Sequence, residues 1–159
     1  MTGLRWANLI LAIMAALAPL AHVQEMPNKL ALSGPLWLAV QQHLYRGWGP
    51  FWGGPAEIGA LVTTLLLLMN RRRDRRTSRF TLIAAAAYAA MIVAFFAFNN
   101  PVNIALNRWT TATLPANWPD YRLRWETGHA LAAVLSVIGL IFLVRCYLVE
   151  MGSSLPSRS

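Results

Sequence analysis

The segment Met69-Asn70-Arg71-Arg72-Arg73-Asp74-Arg75-Arg76-Thr77-Ser78-Arg79-Phe80 decides the fold class, because its arginines stand between two apolar runs. Six of the chain's 14 Lys and Arg residues are here: Arg71, Arg72, Arg73, Arg75, Arg76 and Arg79. In a polar chain a net charge of +8 would suggest nucleic acid as a partner. Flanked by apolar runs, the same charge is the signature of a cytoplasmic loop of a membrane protein, and no nucleic-acid partner is expected. Composition agrees. The 159 residues are 57% hydrophobic and 13% charged, against about 25% charged in soluble domains, which argues against a soluble enzyme. The length suits one domain, residues 1–159. The single cysteine, Cys146, offers neither an internal disulfide nor a dithiol pair, and its place near a helix end suggests inert packing.

Working outward from the arginine loop, four stretches approach the roughly 20 helical residues that a hydrocarbon core requires. They are Leu4 to Val23, Gly54 to Met69, Phe80 to Phe98 and Trp125 to Val144. The second is short, and Trp48, Phe51 and Trp52 extend it with rings suited to the headgroup zone. The first could be a signal peptide, since Arg5 precedes it and Ala16-Leu17-Ala18 resembles a cleavage site. Pro19 would then follow the cut and hinder it, so the segment is read as a helix bent near Pro19. The expected fold is an all-α membrane protein: four transmembrane helices in an antiparallel bundle. With the arginine loop inside, both termini are cytoplasmic, and the expected location is a bacterial inner membrane. Residues 24–53 and 99–124 then face outward, and the stretch Leu30 to Tyr45 reads as an interfacial amphipathic helix. Its apolar stripe is Leu32, Leu36, Ala39, Val40 and Leu44, with Trp37 and Tyr45 as anchors.

Ionisable residues gather at the outer end, while the inner halves of the helices look almost bare. Asp74 and Glu150 read as solvated charges, and Asp120 complements the positive end of the last helix. Glu25, Glu57 and Glu126 map to the outer ends of spans, with His22 and His129. His22 and Glu25 are three apart on the outward-running first helix, and Glu126 and His129 three apart on the inward-running fourth. Each pair shares a helical face. The reversed order on a reversed helix sets both histidines at one depth and both glutamates about 4.5 Å shallower. Glu-x-x-His pairs on opposed helices, with carboxylates from neighbours, hold iron or manganese in soluble four-helix bundles. The metal set expected here is His22, Glu25, Glu57, Glu126 and His129, with iron or copper as cofactor. Structural readings compete: Glu57 after Gly54-Pro55 suits a first-turn helix-dipole role, and Glu126 could pair with Arg122. In Asn99-Asn100-Pro101-Val102-Asn103, proline should break the helix and the asparagines satisfy the freed carbonyls, or Asn100 and Asn103 could bind a ligand oxygen. Trp48 and Arg122 are further substrate-binding candidates around the same opening. Ala84 to Ala87 suggest close helix packing.

The ordered motifs His22-x-x-Glu25-x-Pro27-Asn28-Lys29, Tyr45-Arg46-Gly47-Trp48, Asn100-Pro101-Val102-Asn103 and Arg124-Trp125-Glu126-x-x-His129 together resemble the anthrone-oxygenase-like family of small four-helix membrane proteins. The resemblance implies a membrane-embedded bundle and oxygen-dependent conversion of a polycyclic anthrone to an anthraquinone. The expected function is therefore an oxidoreductase of the oxygenase kind, taking a small apolar or aromatic substrate from membrane lipid. Catalysis would fall to His129, Glu126, His22 and Glu25. In a metal-free version His129, oriented by Glu126, removes an acidic proton and the carbanion meets oxygen directly. The alternative is a non-enzymatic module that binds lipid or a small molecule, or a subunit of a larger membrane complex; a homo-oligomer fits either reading.

Overall fold

The computed structural model describes residues 2–70 and 74–153, so Arg71, Arg72 and Arg73 of the expected loop lie outside the described residues. Six α-helices are present there: α1 (Thr2–Ala31), α2 (Gly34–Ala39), α3 (Gly54–Asn70), α4 (Arg75–Ala94), α5 (Asn100–Leu106) and α6 (Trp118–Ser153). Three wide π-helical turns adjoin them: Val40–Leu44 prolongs α2, Gly49–Gly53 leads into α3, and Phe95–Asn99 joins α4 to α5. Thr2–Ala31, Gly49–Asn70, Arg75–Leu106 and Trp118–Gly152 are each long and apolar enough to cross a membrane. The chain is an all-α membrane protein, and the four spans occur where hydropathy places them.

α1 packs on α3 and α6, and α4 packs on the same two, which makes a four-sided bundle with α1 and α4 on one diagonal. Lipid supplies no hydrophobic force between helices, so close backbone approach through small residues has to hold them. Ala12 and Ala15 of α1, Ala56 and Ala60 of α3, Ala84 of α4 and Ala132 of α6 are buried around Tyr88, Met91 and Leu143. Ala84, Ala85 and Ala87 are buried as the alanine run suggests. Large apolar residues such as Ile10, Ile58, Val93, Phe96 and Ile141 point outward. Gly139 lies under the Tyr88 ring, where a Cβ would come 2.7 Å from Tyr88 Cζ. Gly139→Ala is therefore expected to force the ring aside and cost about 1–3 kcal/mol, read as a lowered melting temperature. Gly3→Ala, which meets nothing within 4 Å, should not lower it.

Three differences from the sequence expectation bear on the site. First, α1 continues past Val23 to Ala31, so Lys29 lies within helix. Arg122 closes the end of α1 by donating to the carbonyls of Lys29 (3.1 Å) and Leu32 (2.9 Å), groups a helix terminus leaves unpaired. Second, helix continues beyond Pro101 through the π-turn Phe95–Asn99. Pro101 has no N–H for the Ala97 carbonyl, and Arg124, not an asparagine, donates to that oxygen at 2.7 Å. Third, the interfacial stripe is reversed. Trp37, Leu38 and Gln41 are buried while Leu36 and Leu44 are exposed. Trp37 and Leu38 pack with Val102, Leu106 and Trp125 instead of anchoring at a headgroup layer.

The end of the bundle where α1 begins and α6 ends is not bare. Asn8 Nδ2 donates to Thr63 Oγ1 and Thr64 Oγ1, both at 2.9 Å, and Asn8 Oδ1 accepts from the Tyr147 hydroxyl at 2.7 Å. Glu150 pairs with Arg5 at 3.0 Å and is not a free charge. Asp74 caps α4, accepting from Thr77 Oγ1 (2.7 Å) and the Arg76 N–H (3.0 Å). Those bonds hold its carboxyl below the usual range. Asp120 stands in the first turn of α6, as expected. Cys146 is buried, with Sγ 3.5 Å from Thr81 Oγ1.

Candidate active site

The antiparallel packing of α1 on α6 brings the two histidine-glutamate pairs together. The imidazoles of His22 and His129 lie with ring centroids 4.1 Å apart. Trp125 sits edge-on to both, 4.8 Å from His22 and 4.1 Å from His129. Tyr45 and Trp48 complete an aromatic wall, at 4.6 and 5.6 Å from the His22 ring. Side chains after α4 fix Trp125: Asn103 Oδ1 accepts from its indole N–H at 2.9 Å, and Asn99 Nδ2 donates to its carbonyl at 2.9 Å. Gly128 makes room for this contact, since a Cβ there would come 2.7 Å from Asn99 Cγ.

Glutamates 25 and 126 converge on Lys29. Its Nζ is 2.9 Å from Glu126 Oε2 and 4.0 Å from Glu25 Oε2. It is also 3.4 Å from His22 Nδ1 and 4.7 Å from the Trp125 ring centre. The Glu126 contact is an ion pair by distance, and Glu126 Oε1 has no hydrogen-bond partner among the described residues. Lys29 and Glu126 are 3% and 1% exposed, so water does not screen them. Glu25 also accepts the Tyr45 hydroxyl. Burial, and then the carboxylate beside it, push the Tyr45 phenol well above its ordinary range, which keeps it a donor.

Two cavities meet at the histidines. One, of about 350 Å³, is mainly apolar, with Ala18, Pro19, Ile58, Ile92 and Phe96 in its wall. The other, of about 590 Å³, has a polar mouth of Gln41, Gln42, Arg46 and Asn107. His22, His129, Asn103, Trp48 and Phe95 line both. A groove of about 860 Å³ runs beside α1 past Leu17, Ala21, Phe51 and Trp52, and Trp48 walls this one too.

The expected site residues are thus sorted. His22, Glu25, Glu126 and His129 come together. Glu57 lines the apolar cavity with His22 and His129, without an ion partner among the described residues. The proposed metal set does not assemble: among the described residues no three His, Cys, Asp or Glu side chains are placed to hold an ion. The Lys29 ammonium stands between His22, Glu25 and Glu126. Glu126 pairs with Lys29, neither with Arg122 nor as the orienter of His129. Arg122 caps α1 and stacks on Trp118 (4.6 Å), so it serves the backbone and lines none of the three cavities. Asn100 lines none either, whereas Asn103 and Trp48 do. Sequence reasoning passed over Lys29 as a site residue. The signal was its position four residues after Glu25 and seven after His22, on the same face of α1.

A family model described as anthrone oxygenase matches residues 42–142, more than half of the chain. The chain belongs to the anthrone oxygenase family. The match takes in Tyr45, Trp48, Asn103, Trp125, Glu126 and His129 of this anthrone oxygenase family protein. It stops short of α1, so His22, Glu25 and Lys29 lie outside it. Comparison with curated proteins and with solved structures gave no significant match.

Proposed function

We propose that this anthrone oxygenase family protein oxidises a small planar aromatic substrate with dioxygen within the membrane, and that the paired histidines do the proton chemistry. The carrying observation is the His22–His129 pair at the junction of an apolar and a polar cavity. The substrate, soluble in lipid, reaches the histidines through the apolar cavity and lies against Trp48 and Phe95. Asn103 Oδ1 is occupied by Trp125, which leaves its NH2 to donate to a substrate carbonyl or phenol. His129 accepts a proton from a CH2 group flanked by aryl rings, and the charge delocalises onto that oxygen. The carbanion forms a C–O bond to dioxygen, and protonation gives a hydroperoxide. Loss of the remaining C–H proton and cleavage of the O–O bond then release water. CH2 plus O2 becomes C=O plus H2O, with no outside reductant.

The test is oxygen uptake by the purified protein in lipid nanodiscs with anthrone as probe. The expected outcome is uptake above that of empty discs, with one anthraquinone formed per dioxygen. Uptake with anthrone no faster than that of empty discs would overturn the proposal. A chelator should leave the rate unchanged; loss on chelation with recovery on adding iron or copper would reinstate a metal site.

The arginine-rich segment supports an orientation with the histidine end at the outer leaflet and both termini cytoplasmic. Cysteines at the exposed positions Arg76 and Thr111, in a Cys146→Ser background, are expected to react with a membrane-impermeant label from opposite sides, Arg76→Cys from the cytoplasm. Same-side labelling would refute that orientation.

A further inference from the structure

The paired histidines differ in their surroundings in a way the proposed reaction does not require. His22 Nδ1 lies 3.4 Å from Lys29 Nζ. An ammonium carries three donors and no acceptor, so the nitrogen facing it must present a lone pair. The competing neighbour is Glu25 Oε2, farther away at 3.6 Å from the same nitrogen. That oxygen already receives the Tyr45 hydroxyl. Lys29 is also held in place, by Glu126 at 2.9 Å, by the Trp125 face, and by Arg122 on its own carbonyl. The ring nitrogens of His129 take no hydrogen bond among the described residues.

We propose that Lys29 is a positioning residue that locks His22 as the tautomer protonated at Nε2, so that the two histidines have different tasks. This rests on the oxidation proposed above and deepens it. His22 offers an N–H to the oxygen on which negative charge develops, while His129 keeps a lone pair for the C–H proton. A single imidazole cannot be base and oxyanion donor with one nitrogen, and the neighbouring ring supplies the second function. Arg122 acquires a role at one remove, because it fixes the turn of α1 from which Lys29 reaches back to the site.

Nitrogen-15 NMR of histidine-labelled full-length protein in nanodiscs, with the His22 signals assigned by their loss in His22→Gln, reads the tautomer directly. Wild type is expected to show a pyridine-type Nδ1 and a pyrrole-type Nε2 at His22. Removing the ion pair as a unit, Lys29→Met with Glu126→Gln, avoids stranding a buried charge and should release His22 to donate from Nδ1 to Glu25. A protonated Nδ1 in the wild-type spectrum would overturn the proposal, whether or not the double variant folds. So would an unchanged His22 tautomer in a folded double variant. Neither readout needs substrate, so failure of anthrone oxidation and failure of the tautomer lock are separate results.

Discussion

Lys29→Met is expected to lower the stability of the bundle by about 3–5 kcal/mol, the range for breaking a buried ion pair by removing one partner. The ammonium is 3% exposed, and its removal leaves Glu126, 1% exposed, facing Glu25 with no cation between them. Glu126→Gln should cost less, because Lys29 then retains Glu25 at 4.0 Å. The double variant should recover much of the loss, since replacing a whole buried pair by neutral residues of similar volume is often neutral. Unfolding in mixed detergent micelles provides the ranking. If Lys29→Met is no less stable than Glu126→Gln, or if the two losses simply add in the double variant, the pair does not carry the coupled charge assigned to it.

His129→Gln should lower turnover of anthrone by about 10²–10⁴-fold, the usual contribution of a positioned general base, with little change in stability. The ring borders both cavities and, among the described residues, hydrogen-bonds to nothing that would be orphaned. Its loss should appear in kcat more than in KM, because the apolar cavity that takes the substrate remains. Trp48→Ala should show the reverse emphasis, a raised KM, since that indole walls both cavities at the histidines and the groove beside α1. Oxygen uptake at varied anthrone concentration separates the two. A His129→Gln protein within about threefold of wild-type turnover would remove the base from the mechanism, since general-base catalysis is worth far more than that.

The spans and the mirrored His22–Glu25 and Glu126–His129 pairs were legible because each is a property of one helix and its direction. Their convergence follows from helical spacing alone once α1 and α6 pack antiparallel. Lys29 was harder to see. A lysine at the end of a span ordinarily extends to the interface, and here a carboxylate on another helix captures it inside. A pairing across so long a stretch of chain leaves no local trace. The same ambiguity produced the expected metal set, because carboxylates and imidazoles that suit a divalent ion also suit an ammonium. The surface helix was misread for a different reason. Leu36 and Leu44 fit an apolar period, but the larger residue Trp37 gains more from burial against Trp125 and Val102. Asn8, Thr63, Thr64 and Tyr147 escaped notice because uncharged polar residues scarcely interrupt a hydropathy profile.

The ion pair between α1 and α6 also constrains how the sequence can drift. A lineage that loses the lysine at position 29 must neutralise position 126 at nearly the same time, since the intermediate genotype carries a stranded buried acid. The two positions should therefore covary among homologues, and functional variants lacking one member should lack both. The residues matched by the family description, 42–142, contain the acid and not its counter-charge. Sequence comparisons confined to those residues would find a glutamate whose reason for persisting lies upstream of them.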